Sequence, residues 1–384
     1  MAGNFSVVAG QPATRIAKWD GANWIALGAG FNDVVSSLAV VGTNLYAAGR
    51  FTMSGQQYIR YIARWDGTNW SPLGSGTSAQ VNALAVIGND LYVGGDFAAA
   101  GSAGSRGIAR WDGAAWFPAG FGVDGSFPYV FALAASGTNL YVGGSFTYPA
   151  NKIAKWDGVE WTALDSGMTA NIVWALAASG DDVYAGYVTA VAGFSTGHVA
   201  KWTQGAWSEL GSGFGGGSTS NGSYIYSLAL GGGELYVGGD FSLASIVPAN
   251  HVAKWDGGNW SALGAGMNGP VRALAAPGGD LHTVGEFTVA GGKVSAYWAT
   301  WNLGLQARVV SVSRDGMNFT ARIGGKPGVT YTIERSPGLS LANWQKHTNL
   351  TAPTNDLGYG IGVFELRDPI QSPQRLYRAV YPGY

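Results

Sequence analysis

The sequence contains no cysteine, and few of its residues carry charge. The absence of cysteine excludes disulfide bonds, thiolate nucleophiles and zinc sites built on thiolates. Only 12% of the residues are charged, about half the usual share, and 22 basic residues nearly balance 23 acidic ones without a run of either sign. A nucleic-acid interface needs a basic patch, so we expect no nucleic-acid partner.

Long apolar runs and cofactor motifs are also missing. No stretch approaches the 18 apolar residues of a transmembrane helix, so we expect no membrane insertion. The 62 glycines lie at turns between strands and not before helices, so they form no phosphate-binding loop. With four histidines and no catalytic constellation, the chain is predicted to have no cofactor, no metal site and no enzymatic activity. We expect a monomer whose partner is a protein or a glycan.

A long repeat fills most of the chain. The motif Trp-Asp-Gly-x-x-Trp recurs, and successive first tryptophans lie 46, 46, 45, 46, 53 and 46 residues apart. Self-similarity at this period indicates a propeller or a solenoid array. The tryptophans in question are Trp19, Trp65, Trp111, Trp156, Trp202, Trp255 and Trp301.

One copy shows how the unit is organised. It predicts four strands, over Val81–Val86, Leu91–Phe97, Ile108–Trp111 and Ala115–Pro118, separated by turns and loops rich in glycine. Four short strands without a helical period are typical of one propeller blade. The first strand has six copies, which begin near Val35, Val81, Val130, Val173, Ile225 and Val271.

We therefore predict an all-β chain with a six-bladed β-propeller over residues 1–304 and a small β-sandwich, of fibronectin or immunoglobulin type, over residues 305–384. With six blades, Asn23–Leu27 would complete the last blade and close the ring as a clasp. The third strand has seven candidates because both ends of the repeat region match it. Seven blades are the alternative, if the N-terminal piece from Phe5 forms a partial blade of its own.

The second strand Leu-Tyr-Val-Gly-Gly, with the third strand and the hairpin Asp-Gly-x-x-Trp, resembles a kelch-type propeller blade. More closely, the unit is similar to the tandem propeller repeats of large secreted bacterial proteins of unassigned function. The resemblance implies a secreted or cell-surface location, but no activity, because propellers support catalysis, lectin-like binding and protein docking alike. The first residues lack a signal-peptide pattern, so we expect that the native protein carries a leader that this sequence lacks.

The position after Gly-Gly differs among the copies and is a candidate binding position. Three acids among six copies could hold a cation or sugar hydroxyls at one mouth of the central channel; the alternative is that they are solvated turn residues. A glycosidase would need two carboxylates roughly 5 to 10 Å apart. The residues are Arg50, Asp96, Ser145, Asp240 and Glu286, with Val188 in the altered fourth copy.

Aromatic residues that break the repeat are the second set of candidates. Trp174, Tyr224 and Tyr226 are predicted to bind ligand, whereas tryptophans that recur in every copy are better explained by packing between blades. An insertion over 215–223 accounts for the spacing of 53 residues and is either a functional loop or a tolerated insertion. His198 and His251 occupy equivalent positions of successive copies, and we predict no metal between them.

Three functions fit these observations. The first is a non-enzymatic, extracellular binding or interaction scaffold whose ligand the sequence does not name. The second is a carbohydrate-binding or carbohydrate-active protein that uses one mouth of the propeller channel. The third is a structural element of a cell surface or of adhesion.

Overall fold

The structure is a computed structural model. It describes residues 1–384 apart from 166–167, 169, 192–193, 219–221, 278, 304–307, 316–317, 326–329, 337–344, 352–361, 370–375 and 381–384. All regular elements within the described residues are β-strands. Two compact units are present, and each is described by itself. The first comprises Met1–Leu230, Leu235–Ala273 and Val284–Tyr297, and the second comprises Gly231–Glu234, Leu274–Thr283 and Trp298–Tyr384.

Four four-stranded antiparallel sheets, and four strands of a seven-stranded sheet, repeat one another along the described chain and form five propeller blades. Neighbouring blades meet through their first strands: Val81–Ile87 contacts both Val35–Val41 and Val130–Ser136. The strands of blades 1 to 5 are, in order, Val35–Val41, Asn44–Gly49, Ile62–Trp65 and Trp70–Pro72; Val81–Ile87, Asp90–Gly95, Ile108–Trp111 and Trp116–Pro118; Val130–Ser136, Asn139–Gly144, Ile153–Trp156 and Trp161–Ala163; Ile172–Ser179, Asp182–Val191, Phe194–Thr203 and Ala206–Glu209; Tyr224–Gly231, Glu234–Asp240, Val252–Trp255 and Trp260–Ala262.

The prediction of six blades, with seven as the alternative, is wrong. The sixth copy of the repeat forms a three-stranded sheet of Val271–Ala275, Asp280–Gly285 and Trp298–Asn302. The N-terminal strands Ala17–Trp19 and Trp24–Ala26 form a two-stranded sheet of their own and do not complete that blade within the described residues. The repeat shows how many copies of each strand the sequence contains, whereas a complete blade also requires that the strands pair with one another. Trp24–Ala26 pairs with Ala17–Trp19 across the tight turn at Gly21.

Short strand pairs accompany the main strands of the blades. Several of them form hairpins between the second and third strands of a blade, where blade 4 instead extends its own strands. They are Val7–Val8 with Gln11–Pro12, Met53–Ser54 with Gln57–Tyr58, Ala99–Ala100 with Ala103–Gly104, Leu243–Ala244 with Val247–Pro248, and Val289–Ala290 with Lys293–Val294; Phe214–Gly215 pairs with Leu243–Ala244.

The Asp-Gly-x-x-Trp motif ties successive blades together. In blade 2, one carboxylate oxygen of Asp112 accepts the N–H groups of Ala114 and Ala115, both at 2.8 Å, and closes the hairpin. The indole N–H of Trp116 then donates to the carbonyl of Leu73, at the end of blade 1, at 2.9 Å. The same inter-blade bond recurs from Trp161 to Ala119, Trp207 to Leu164 and Trp260 to Leu210, and Trp70 of blade 1 donates in the same way to Leu27, which follows the N-terminal two-stranded sheet.

The chain beyond the repeat contains two three-stranded antiparallel sheets. One orders its strands as Arg308–Asp315, Asn318–Gly325 and Gly362–Pro369, and the other as Gln345–Thr351, Thr330–Ser336 and Leu376–Val380. The predicted domain boundary at residues 304 and 305 lies outside the described residues.

Candidate functional site

A β-bulge near the start of the first strand shapes one end of the blades. In blades 1 to 4 the register with the second strand slips by one residue directly after Val35, Val81, Val130 and Val173. A bulge leaves one residue out of the ladder and re-aims its side chain. The bulged residues are Ser36, Asn82, Phe131 and Trp174, and their equivalents in the fifth and sixth copies are Tyr226 and Arg272.

The positions predicted to bind ligand lie at the same end of the blades as the bulges. The first and second strands are antiparallel neighbours, so the start of one and the end of the other lie together. We call this the bulge end. Arg50, exposed in blade 1, and Val188, buried in blade 4, occupy the position after the second strand's glycines, as do the acids described below.

A cavity of about 550 Å³ opens at the bulge end, between blades 3 and 4. Aromatic rings form one wall: the ring centroids of Phe127 and Tyr129 lie 6.2 Å apart, and so do those of Tyr129 and Phe131. The ring of Phe131 also lies 4.4 Å from that of Trp174 in blade 4, a residue outside the cavity lining. Phe127, the outermost ring, is 66% exposed. The volume lies within the range of small-ligand sites.

Polar groups line the rest of the cavity. Ser145, a predicted site residue, donates its hydroxyl to the carbonyl of Phe127. The ammonium of Lys152 donates to the carbonyl of Ser145 at 3.0 Å. Thr147 and the exposed Asn171 add a hydroxyl and an amide. Aromatic rings, neutral polar groups and one cation therefore face the same space.

Trp174 carries an unsatisfied donor. Its indole N–H is buried and has no hydrogen-bond partner in the part of the chain that the structure describes. A buried N–H without a partner costs about 1–3 kcal/mol. Among the described residues, Trp174 is thus held by ring contact with Phe131 and not by a hydrogen bond of its indole N–H.

The predicted acid Asp96 is engaged by its own blade. The side-chain amide of Gln80 donates to one carboxylate oxygen at 2.6 Å, and that of Asn82 donates to the other at 2.8 Å. The amide of Asn82 also donates to the carbonyl of Val130 in blade 3 at 2.9 Å. Asp96 therefore orients the bulged Asn82, which joins blades 2 and 3.

Asp240 anchors the insertion over 215–223. Its buried carboxylate accepts the backbone N–H of Ser218 at 2.8 Å and the hydroxyl of Ser218 at 2.7 Å. The Nδ1 atom of His251 lies 3.6 Å from the same carboxylate, and burial lowers the pKa of this histidine. Thr219, Ser220 and Asn221 of the insertion lie outside the described residues.

Glu286 pairs with Arg272, whose Nε and Nη2 atoms lie 2.9 and 2.8 Å from one carboxylate oxygen. The guanidinium also lies over the ring of Tyr226, 4.2 Å from its centroid. Tyr226 in turn is parallel to Tyr224 at 5.9 Å, and burial raises the pKa of its phenol. The predicted residues Tyr224, Tyr226 and Glu286 thus form one stack around Arg272, which the sequence did not single out.

Blade 4 carries a cluster that the sequence analysis missed. Tyr187 stands where the other blades have the second glycine, and its hydroxyl donates to the carboxylate of Glu209. His198 stacks on Tyr187 at 5.3 Å, and its Nδ1 lies 3.7 Å from the other oxygen of Glu209. Partial burial raises the pKa of Glu209 to about 7 and lowers that of His198. The replacement of a repeated glycine by tyrosine was the visible signal.

The cavity residues Phe127, Tyr129, Phe131, Lys152 and Asn171 also escaped sequence analysis. Phe131 occupies the bulge position that holds Trp174 and Tyr226 in later copies, so aligning this position across all copies would have identified it. Among the described residues, no three His, Asp or Glu side chains come together as a metal site. The described residues also include no helix long and apolar enough to cross a membrane.

Comparisons with known proteins give structural likenesses only. No protein-family model matches the chain, and no curated protein matches it. The β-propeller domain of the trilobed protease from Pyrococcus furiosus, which has an open velcro topology, is 10% identical with a TM-score of 0.41, over 75% of this chain and 90% of that one. Chaetomium thermophilum Sqt1, bound to the N-terminus of ribosomal protein L10, is 14% identical with a TM-score of 0.41, over 75% and 81%.

A GH43 β-1,3-galactosidase is 11% identical with a TM-score of 0.34, over 84% of this chain and 72% of that one. At these identities and TM-scores the likenesses assign no function. The function has to be inferred from the geometry of the site itself.

Proposed function

We propose that this chain is a non-enzymatic, extracellular binding scaffold whose ligand occupies the cavity between blades 3 and 4. The observation that carries the proposal is the wall of three aromatic rings, Phe127, Tyr129 and Phe131, which shares the cavity lining with Ser145, Thr147 and Asn171. Small-ligand sites typically combine such apolar walls with a few convergent polar groups.

The carboxylates at the bulge end support binding over hydrolysis. Asp96 is bonded to Gln80 and Asn82, Asp240 to Ser218, and Glu286 to Arg272. A glycosidase needs one carboxylic acid and one carboxylate that both face the substrate. Because these carboxylates already bind amides, a hydroxyl and a guanidinium of the protein, their role in this proposal is to stabilise the scaffold.

The proposal is tested by screening the full chain against an oligosaccharide array and a peptide array. We expect a ligand whose affinity falls at least about tenfold in Phe127→Ala, because an exposed ring contributes stacking area and little to the fold. Phe117→Ala is the matched control, since Phe117 is a partly exposed ring on the fourth strand of blade 2 and lies outside the cavity. No retained ligand, or equal affinity in both variants, would overturn the proposal.

A carbohydrate-active enzyme is the second candidate, and Glu209 is the observation that favours it. A carboxylic acid with a pKa of about 7, beside Tyr187 and His198, is suited to general acid catalysis near neutral pH. Hydrolysis of oligosaccharides that is lost in Glu209→Gln, but kept in the exposed Glu160→Gln, would support the enzyme. Binding without turnover would support the scaffold.

The role of the C-terminal sheets and the wider identity of the chain are also proposals. We propose that the two three-stranded sheets beyond residue 307 form a fibronectin- or immunoglobulin-like sandwich that acts as a spacer or sorting domain. We also propose that the repeat is kelch-like and that the protein is a secreted bacterial protein. Self-association of the chain at high concentration would favour a structural adhesion element over a monomeric scaffold.

A further inference from the structure

The charge of the cavity is as informative as its aromatic wall. Lys152 is the one charged residue among the residues that line the described cavity, and no carboxylate shares that lining. Its ammonium is held at the cavity by the carbonyl of Ser145, 3.0 Å away, which leaves two of its three N–H donors for a ligand. A neutral ligand would leave this positive charge without a counterpart.

Lys152 also occupies a position at which several copies of the repeat share one backbone conformation. Its backbone has a positive φ of 67°, as do the equivalent residues Arg15, Tyr61, Gly107, His251 and Tyr297, with φ from 62° to 69°. In each of these copies the backbone N–H or carbonyl of the residue makes a hydrogen bond at the same turn. The backbone geometry is therefore constant, and only the side chain varies. The copy beside the aromatic cavity has a lysine here, and the N-terminal copy, which precedes the five blades, has Arg15.

The neutral polar groups decide between ligand classes. An aromatic wall faces the flat C–H faces of sugar rings well, and Thr147 and Asn171 supply a hydroxyl and an amide that suit ring hydroxyls. An aromatic carboxylate would use the wall and the cation but offer these groups no hydroxyl; the Thr147 hydroxyl, which donates to the carbonyl of Asp124 at 3.5 Å, can still accept a bond from a sugar hydroxyl. The cavity, at about 550 Å³, is larger than a single ring requires and opens past the exposed Phe127.

We propose that the cavity binds an acidic sugar unit, one that carries a carboxylate, with its ring stacked on Phe127 and Tyr129 and its carboxylate paired with Lys152. This inference rests on the proposed binding function and names its ligand class. The pair is charge-assisted, so the carboxylate strengthens binding by about ten- to a hundredfold over a neutral sugar of the same shape.

Two matched probes test the inference on the full chain. One is a linear oligoglucuronate, and the other is the same oligosaccharide with its carboxylates reduced to hydroxymethyl groups. Calorimetric titration in low salt is expected to show the ten- to hundredfold preference for the acidic probe, and the preference is expected to shrink as salt rises. Lys152→Met keeps the aliphatic stem, so it is expected to abolish the preference while both probes still bind weakly.

Control variants separate this inference from the function on which it rests. Lys155→Met removes a positive charge from the same blade but outside the cavity lining, and it is expected to keep the preference. Phe127→Ala is expected to weaken both probes. Equal affinity for the two probes, or a preference that survives Lys152→Met, overturns the acidic-sugar inference and leaves the binding function standing. If neither probe binds but a peptide from the array does, and depends on Phe127, the inference also fails while the function holds.

Discussion

The rings of Phe131 and Trp174 lie 4.4 Å apart although they belong to different blades and are 43 positions apart in the chain. Each is the bulged residue of its first strand, so the two bulges bring one ring from each blade to the same place. The contact therefore joins blades 3 and 4 beside the cavity, whose lining includes Phe131.

A double-mutant cycle measures this joint. Phe131→Ala, Trp174→Ala and the double variant are expected to show a coupling of about 0.5–1.5 kcal/mol in the free energy of unfolding, which is typical of a packed aromatic pair. Urea unfolding followed by circular dichroism gives the three values. Strictly additive effects would mean that the ring contact contributes nothing to the union of the blades.

The hydrogen bonds from tryptophan to the preceding blade differ in length and burial. Trp260 is buried and donates to Leu210 at 2.7 Å, whereas Trp161 is less buried and donates to Ala119 at 3.2 Å. Trp260→Phe is expected to lower the free energy of unfolding by about 1–3 kcal/mol, because it leaves a buried carbonyl without its donor. Trp161→Phe is the matched comparison and is expected to cost less; a reversed order would show that ring volume, and not the inter-blade bond, sets the effect.

The aspartates of the Asp-Gly-x-x-Trp hairpins are expected to make the stability of the propeller sensitive to acid. Backbone N–H groups hold the pKa of Asp112 below its ordinary range, and the same holds for Asp20, Asp66, Asp157 and Asp256. A depressed pKa contributes stability above the unfolded value near 4, and this contribution is lost as pH falls through the folded value. The melting temperature is thus expected to fall below pH 4.

Asp112→Asn isolates one of these hairpins. The amide keeps an oxygen for the N–H groups of Ala114 and Ala115 but does not titrate. Melting curves between pH 5 and pH 2 are expected to show a smaller loss in the variant than in the wild type. Identical pH profiles would contradict the role given to the charged carboxylate.

Glu209 acts in the opposite direction. Its pKa is raised to about 7, so between its ordinary value near 4.5 and 7 the folded chain binds more protons than the unfolded one. Stability from this group is present below pH 4.5 and is lost as pH rises through 7. Glu209→Gln is expected to be more stable than the wild type at pH 8, with little difference at pH 4, in urea titrations at both values.

Glu160→Gln controls for the removal of an exposed carboxylate. The lowered pKa of His198 opposes the effect of Glu209 below pH 6.5, so the comparison at pH 8 is the cleaner one. A loss of stability in Glu209→Gln at pH 8 would show that its bond from Tyr187 outweighs the cost of burying the charge.

Strand positions were predictable because each copy repeats the same apolar pattern and turns. The prediction from one copy, with strands near Val81–Val86 and Ile108–Trp111, agrees with the observed strands Val81–Ile87 and Ile108–Trp111. The number of complete blades was not predictable, since it depends on which strand Trp24–Ala26 pairs with, and spacing does not report pairing.

The site was only partly predictable for a related reason. Trp174 and Tyr226 stood out because they break an alternating pattern, whereas Phe131 reads as an ordinary core residue. A bulge is a feature of register between two strands, and it leaves no mark in either strand alone. The predicted acids lie at the bulge end, but their bonds to Gln80, Ser218 and Arg272 come from distant segments.

The central claim is that ligand binds in the cavity between blades 3 and 4, and amide hydrogen exchange with the tightest array ligand bound tests it most directly. We expect added protection in three segments that contain the lining residues, 126–131, 145–152 and 171–172. Blades 1 and 2 are expected to remain unchanged. Protection confined to Tyr224–Arg272, or to the outer fourth strands, would contradict the claim.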